Sequence, residues 1–277
     1  MLIIDAHVHI YACFDLNFFV KSAFRNFKSA ASAQKLEDFT AVLFIADWSN
    51  VSWFEKLIDL SAAKGDTAEI SSLQFNLQGT DEEISLWITN RHSQKILIIA
   101  GRKIITAENM EVLALCSKDD IPDGQSLEKT IRRIAHFGAI PVIPWAVGKW
   151  LGRRGDVLNN LLNMGDRPFF FLCDNGNRPF FWGWPNHFRT ALKRKVPIIS
   201  GSDPLHFSSE AKRAGNFGFT IPGVLTPETP GQDLKELLKN PSVRIERYGS
   251  LERFGPFVAN QIRMQVFKKK WRRELLK

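Results

Sequence analysis

Met1-Leu2-Ile3-Ile4-Asp5-Ala6-His7-Val8-His9-Ile10 opens the chain, and its reading decides how the rest is understood. Leu2, Ile4, Ala6, Val8 and Ile10 share one parity; Asp5, His7 and His9 share the other. A β-strand sends alternate side chains to opposite faces, so the two imidazoles point the same way, one pleat apart. That geometry suits two nitrogens reaching one metal ion, at about 2.0–2.1 Å for zinc. The even parity is apolar throughout, as expected of a strand covered by helices.

Outward from this strand, apolar runs of strand length alternate with helical stretches. Residues 15–31, 52–63, 124–137, 157–164 and 184–193 read as helices; 40–46, 139–143, 168–172 and 196–200 read as buried strands, with a further strand at 243–247. Between 68 and 115 the pattern changes. Short strands at 70–77, 84–89, 95–100, 103–106 and 111–115 follow one another with no helix of normal length between them. The expectation is an α/β fold: a distorted TIM-like barrel of seven or eight strands with a small antiparallel insertion near 68–115. A single barrel domain spans 1–277 and ends in a basic helix over 257–277.

The chain has 277 residues, 44% of them hydrophobic and 24% charged, ordinary for one α/β barrel. Its three cysteines, Cys13, Cys116 and Cys173, are too far apart in sequence for a paired metal or redox motif, which points to reduced thiols and a cytoplasmic protein. No apolar run approaches the roughly 20 residues that span a bilayer, and the first strand has no basic segment before it. Of the net charge of +8, most sits at the end, where seven cations face one acid in residues 263–277. Such a tail suits an anionic partner, nucleic acid or a membrane surface; a solvated helix end is the plainer reading.

In parallel α/β barrels, chemistry collects at the carboxyl ends of the strands. Those ends hold His7 and His9, Asp47, Lys103, Trp145, Asp174 and Asn175, and Asp203 with His206 just beyond. Two histidines and Asp203 form a three-ligand set that leaves a position for water, the usual form of a hydrolytic centre. Asp47 and His206 are the candidate general bases, Asp47 being equally placed to cap the helix after it. Lys149, Arg153 and Arg154, on a loop with Gly148, Gly152 and Gly155, suit an anionic substrate, as does the polar turn carrying Asp174, Asn175 and Arg178.

Asp5-Ala6-His7-Val8-His9 and Gly201-Ser202-Asp203-Pro204-Leu205-His206 resemble the metal-dependent hydrolase barrels, the amidohydrolases and the polymerase-and-histidinol-phosphatase (PHP) family. Segments 99–106, 111–115, 121–127 and 139–144 are similar to the latter in order and spacing. The resemblance implies a distorted barrel, one to three divalent ions and, often, phosphate-ester hydrolysis. Four positions depart from it. Ala46-Asp47-Trp48-Ser49 stands for Thr-Asp-His-Asp, Gly101-Arg102-Lys103 for Gly-x-Glu, Ile143-Pro144-Trp145 for Ala-His-Pro, and the closing Asp-x-His is one residue longer. The expectation is a reduced site with one ion, zinc or manganese, on His7, His9 and Asp203, acting on an anionic small molecule such as a phosphate ester. Lys103 either binds the substrate anion or stands in for metal charge. The alternative is a non-catalytic barrel that binds an anionic ligand without metal chemistry.

Overall fold

The computed structural model describes residues 1–48, 51–63 and 71–274. Ser49, the expected strand start at residue 70, and the last residues of the expected terminal helix, 275–277, lie outside the described residues. In chain order the elements are β1 (Leu2–Val8), α1 (Leu16–Ala33), β2 (Thr40–Asp47), α2 (Trp53–Ala62), β3 (Phe75–Gly79), β4 (Ser85–Asn90), β5 (Lys95–Ile105), β6 (Glu111–Leu115), α3 (Leu127–His136), β7 (Ile140–Pro144), α4 (Arg153–Asn163), β8 (Phe171–Asn175), α5 (Asn186–Lys193), β9 (Ile198–Gly201), a 3-10 turn (Ser208–Arg213), β10 (Phe217–Ile221), α6 (Pro230–Lys239), β11 (Glu246–Gly249) and α7 (Phe254–Glu274).

The strands form one sheet in the order β11-β10-β1-β2-β5-β6-β7-β8-β9, with β3 and β4 off this path. β1–β2, β2–β5, β7–β8 and β8–β9 are parallel; β6 runs against both its neighbours. The sheet curls until the end of β9 meets β1, where the Asp203 N–H donates to the His7 carbonyl at 2.8 Å. The result is the expected nearly closed, distorted TIM-like barrel. Among the described residues of the antiparallel region, only the β3–β4 hairpin leaves the main path of the sheet. β5 is one continuous strand: its edge pairs first with β4 through residues 95–99, then with β6 through residues 101–105.

Side chains from β1, β2 and β5 to β10 meet inside, including Ile4, Phe44, Ile99, Leu115, Val142, Phe171, Ile199 and Phe219, and α6 adds Leu234 and Leu238. Two outer cores lie beneath the helices, one under α1 and α2, the other under α3, α4 and α5. The single parity expected for Leu2 to Ile10 breaks here. Register shifts between Asp5 and Val8, which pair with Leu43 and Ile45, so one extra residue bulges on β1. Leu2, Ile4 and Ala6 face inward, while beyond the bulge Val8 and Ile10 join Ile3 in the outer core. The bulge therefore swings the odd residues His7 and His9 to the inner face at the carboxyl rim.

Asp5 stays out of the site and ties the seam together, its carboxylate accepting from Ser202 N and Gly215 N, each at 2.8 Å. Burial pushes its pKa up to about 6. The seam also needs a glycine, because a Cβ on Gly201 would lie 2.5 Å from both Cβ and N of His7. Gly201→Ala is expected to cost about 1–3 kcal/mol through overpacking. At roughly 2–4 °C per kcal/mol for a chain of this size, calorimetry should show a clear drop in Tm; an unchanged Tm would mean the seam is looser than described.

Candidate metal centre

Four side chains from three separate parts of the chain converge at the rim. The Nε2 atoms of His7 and His9 are 3.0 Å apart. Asp203 Oδ1 lies 3.6 Å from each of them. Glu111, the first residue of β6, places Oε1 at 3.1 Å from His7 Nε2 and 3.8 Å from His9 Nε2. Donors about 2.1 Å from a zinc ion in a tetrahedron stand ~3.4 Å from one another, so the separations bracket the spacing of a shared cation. His7, His9 and Glu111 could hold a metal ion.

The protons fit the same reading. His9 Nδ1 lies 2.7 Å from the Ala46 carbonyl, which can only accept. Nδ1 therefore carries the proton, and neutral His9 turns a bare Nε2 lone pair into the cluster. Glu111 Oε1 is buried beside the two imidazoles, 3.1 Å from His7 Nε2. Burial lowers the His9 pKa. Burial works the same way on His7, but the Asp203 and Glu111 carboxylates outweigh it and raise that pKa. Glu111 is held well below the usual carboxylate range, since Lys103 and the two imidazoles overcome the effect of burial.

Lys103 extends from β5 so that its Nζ lies 2.8 Å from Glu111 Oε2 and 4.1 Å from the centre of the Trp48 ring. Glu111 thus faces the imidazole cluster with one oxygen and an ammonium with the other. Trp48 also faces His9, their ring centres 6.2 Å apart. Asp203 is aligned from behind: Asn175 Nδ2 donates to Asp203 Oδ2 at 2.5 Å and to the Trp145 carbonyl at 3.1 Å, and Asn177 donates to the Asp203 carbonyl.

The other candidate residues stand elsewhere. The Asp47 carboxylate caps α2, accepting from Phe54 N at 2.8 Å and Ser52 Oγ at 3.2 Å; it makes no contact with the histidines among the described residues. His206 sits between Tyr11, which it meets edge-on at 4.6 Å, and Phe267, tilted at 4.8 Å. Trp145 is buried in the outer core rather than on the rim. Lys149 Nζ binds the carbonyl and side chain of Asn109, holding the turn that delivers Glu111. Arg154 reaches the Gly148 carbonyl, and Arg153 is an exposed residue at the start of α4. Asp174 and Arg178 form a buried bidentate pair at 2.7 and 2.8 Å.

Glu111 and Tyr11 were not among the candidates. Glu111 arrives from a strand running opposite to the parallel ones, so its amino end lies on the carboxyl rim. Tyr11 continues the odd parity of His7 and His9 and sits 5.8 Å from the His9 ring. Burial, with the charges of Asp203 and Glu111, drives its phenol well above the ordinary range.

The chain is similar to solved structures. PsfC from Pseudomonas syringae PB-5123 matches 98% of this chain and 98% of its own at 16% identity, with a TM-score of 0.50. The lesion-specific endonuclease EndoQ from Pyrococcus furiosus matches 89% of this chain and 58% of its own at 11% identity and 0.47. Endonuclease Q bound to a 27-mer duplex with an abasic lesion matches 90% and 59% at 12% identity and 0.44. No family model and no curated protein sequence matches the chain. At these identities the likeness to PsfC establishes the fold, a distorted α/β barrel.

Proposed function

We propose that the protein is a metal-dependent hydrolase with a one-ion site held by His7, His9, Glu111 and Asp203, acting on an anionic substrate such as a phosphate ester. The observation that carries this reading is the approach of two carboxylate oxygens to a pair of imidazole nitrogens, with N–N and N–O separations of 3.0–3.8 Å. A divalent ion there would supply a Lewis acid and lower the pKa of a water. Zinc or manganese suits the mixed imidazole and carboxylate set. His9 is locked in the ligating tautomer by Ala46, and Asn175 holds the Asp203 carboxylate in place. Lys103 offsets the charge of Glu111, and Tyr11 and Trp48 wall the site. The ion pair of Lys103 with Glu111 at 2.8 Å also supports a second reading, a barrel that binds an anion through Lys103 without a metal.

Metal titration of the purified chain separates the two. The hydrolase reading expects close to one equivalent of zinc or manganese, lost in His7→Ala and Asp203→Ala, together with hydrolysis of a generic aryl phosphate that a chelator abolishes and metal restores. Sub-stoichiometric metal that neither substitution changes would leave the binding reading standing.

A further inference from the structure

α7 lies on the barrel with one face only. Phe257, Asn260, Gln261, Met264 and Phe267 are buried or half-buried, at the spacing of one helix face. That face meets the 205–207 loop, where Phe267 is 4.8 Å from His206 and Arg263 covers the Phe207 ring at 4.0 Å. The opposite face carries a four-residue stripe in water: Phe254, Val258, Ile262 and Val266, the last two 60% and 63% exposed. Beside it the loop after β8 turns out Phe180, Phe181, Trp182 and Trp184, with Phe180 63% exposed. Phe181 joins loop and helix, its ring 5.4 Å from Phe254 and 6.0 Å from Phe257. Phe180 meets Phe181 at 5.8 Å, so with the stripe at least six large apolar side chains adjoin on one surface, more than isolated exposed residues account for. The sequence of the helix then continues with Lys268, Lys269, Lys270, Arg272 and Arg273.

We infer that this surface seats on an anionic lipid bilayer, with α7 lying in the plane of the interface. In-plane helices bury an apolar stripe at the headgroup boundary and draw on anionic lipid through neighbouring cations. Tryptophan and phenylalanine from an adjacent loop suit the same depth. The charge and the side chains choose among occupants. A second copy would bring two tails of the same sign together. Nucleic acid would use the cations and aromatics, but the aliphatic Val258, Ile262 and Val266 offer no platform for stacking bases. Among the described residues no helix is long and apolar enough to cross a membrane, so the association is peripheral.

Co-sedimentation of the full chain with phosphatidylcholine vesicles, with and without phosphatidylglycerol, tests this. Binding is expected to be about tenfold or more tighter with the anionic lipid and to weaken with salt. Ile262→Asp with Val266→Asp should reduce it about tenfold while leaving thermal unfolding unchanged, since both positions are exposed. Phe180→Ser, on a separate element, should weaken it as well. Equal binding to the two vesicle types, or full binding by both variants, overturns the inference. So does a dimer, or DNA binding, that the same substitutions abolish while vesicles are ignored. Metal stoichiometry should not change in either variant, so this inference and the metal reading fail separately.

Discussion

Glu111→Gln should lower the affinity for divalent metal about 100-fold or more, as read by isothermal titration. Loss of a supporting outer residue typically costs 10–100-fold, and a direct ligand should cost at least that. The amide keeps the shape and still accepts from Lys103, so stability should fall little and the effect should show as binding. Lys103→Met should act in the opposite direction. Its ammonium is 2.8 Å from Glu111 Oε2, where it opposes a further cation by ~4 kcal/mol at about 4 Å and an effective dielectric near 20. Removing it should tighten the first ion or admit a second, visible as a rise in bound equivalents. Undiminished metal affinity in Glu111→Gln would remove the acid from the ligand set, and weaker binding in Lys103→Met would show that the lysine supports the ion instead of limiting it.

Why Glu111 escaped the sequence reading has a physical answer. The family's Gly-x-Glu spacing directs attention to residues 101–103, where this chain has an arginine and a lysine. The acid comes instead from β6, which runs against β5 and β7; residues 111–115 read as part of an antiparallel insertion, and nothing in the apolar pattern tells that this strand lies in the barrel wall with its amino end on the carboxyl rim. The alternating framework was legible because each buried strand is a continuous apolar run and each outer helix carries a clear stripe. β10 was not: Phe217-Gly218-Phe219-Thr220-Ile221 is short and carries glycine, a weak strand former. α6 begins with Pro230-Gly231, both poor in helix interiors, though proline suits a first turn. The histidine pair was readable as a pair, yet its facing was not, since the bulge after Asp5 depends on the register with β2. Asp47 shows the same limit. One carboxylate before a helix suits a cap and a base equally, and only the Phe54 N–H at 2.8 Å decides for the cap.

The largest loss of stability should come from Asp174→Ala. Asp174 and Arg178 are almost wholly buried, joined through Nε and Nη2 at 2.7 and 2.8 Å, and Arg247 adds a third contact at 3.1 Å. Arg178 also donates to the Trp182 and Gly183 carbonyls, so the pair clamps the loop carrying the exposed aromatics. Removing the carboxylate leaves a buried guanidinium without its partner, a loss of about 3–5 kcal/mol against a total that is typically only 5–15 kcal/mol. Urea denaturation should register it as a lower midpoint. Asp174→Leu with Arg178→Met should recover much of the loss, because apolar replacement of both partners is often neutral. In the double variant the loop loses its carbonyl anchors, so vesicle binding should remain weakened after stability returns. A single substitution costing under about 1 kcal/mol would mean that water already reaches the pair, and that the loop is held by its aromatic contacts with α7 instead.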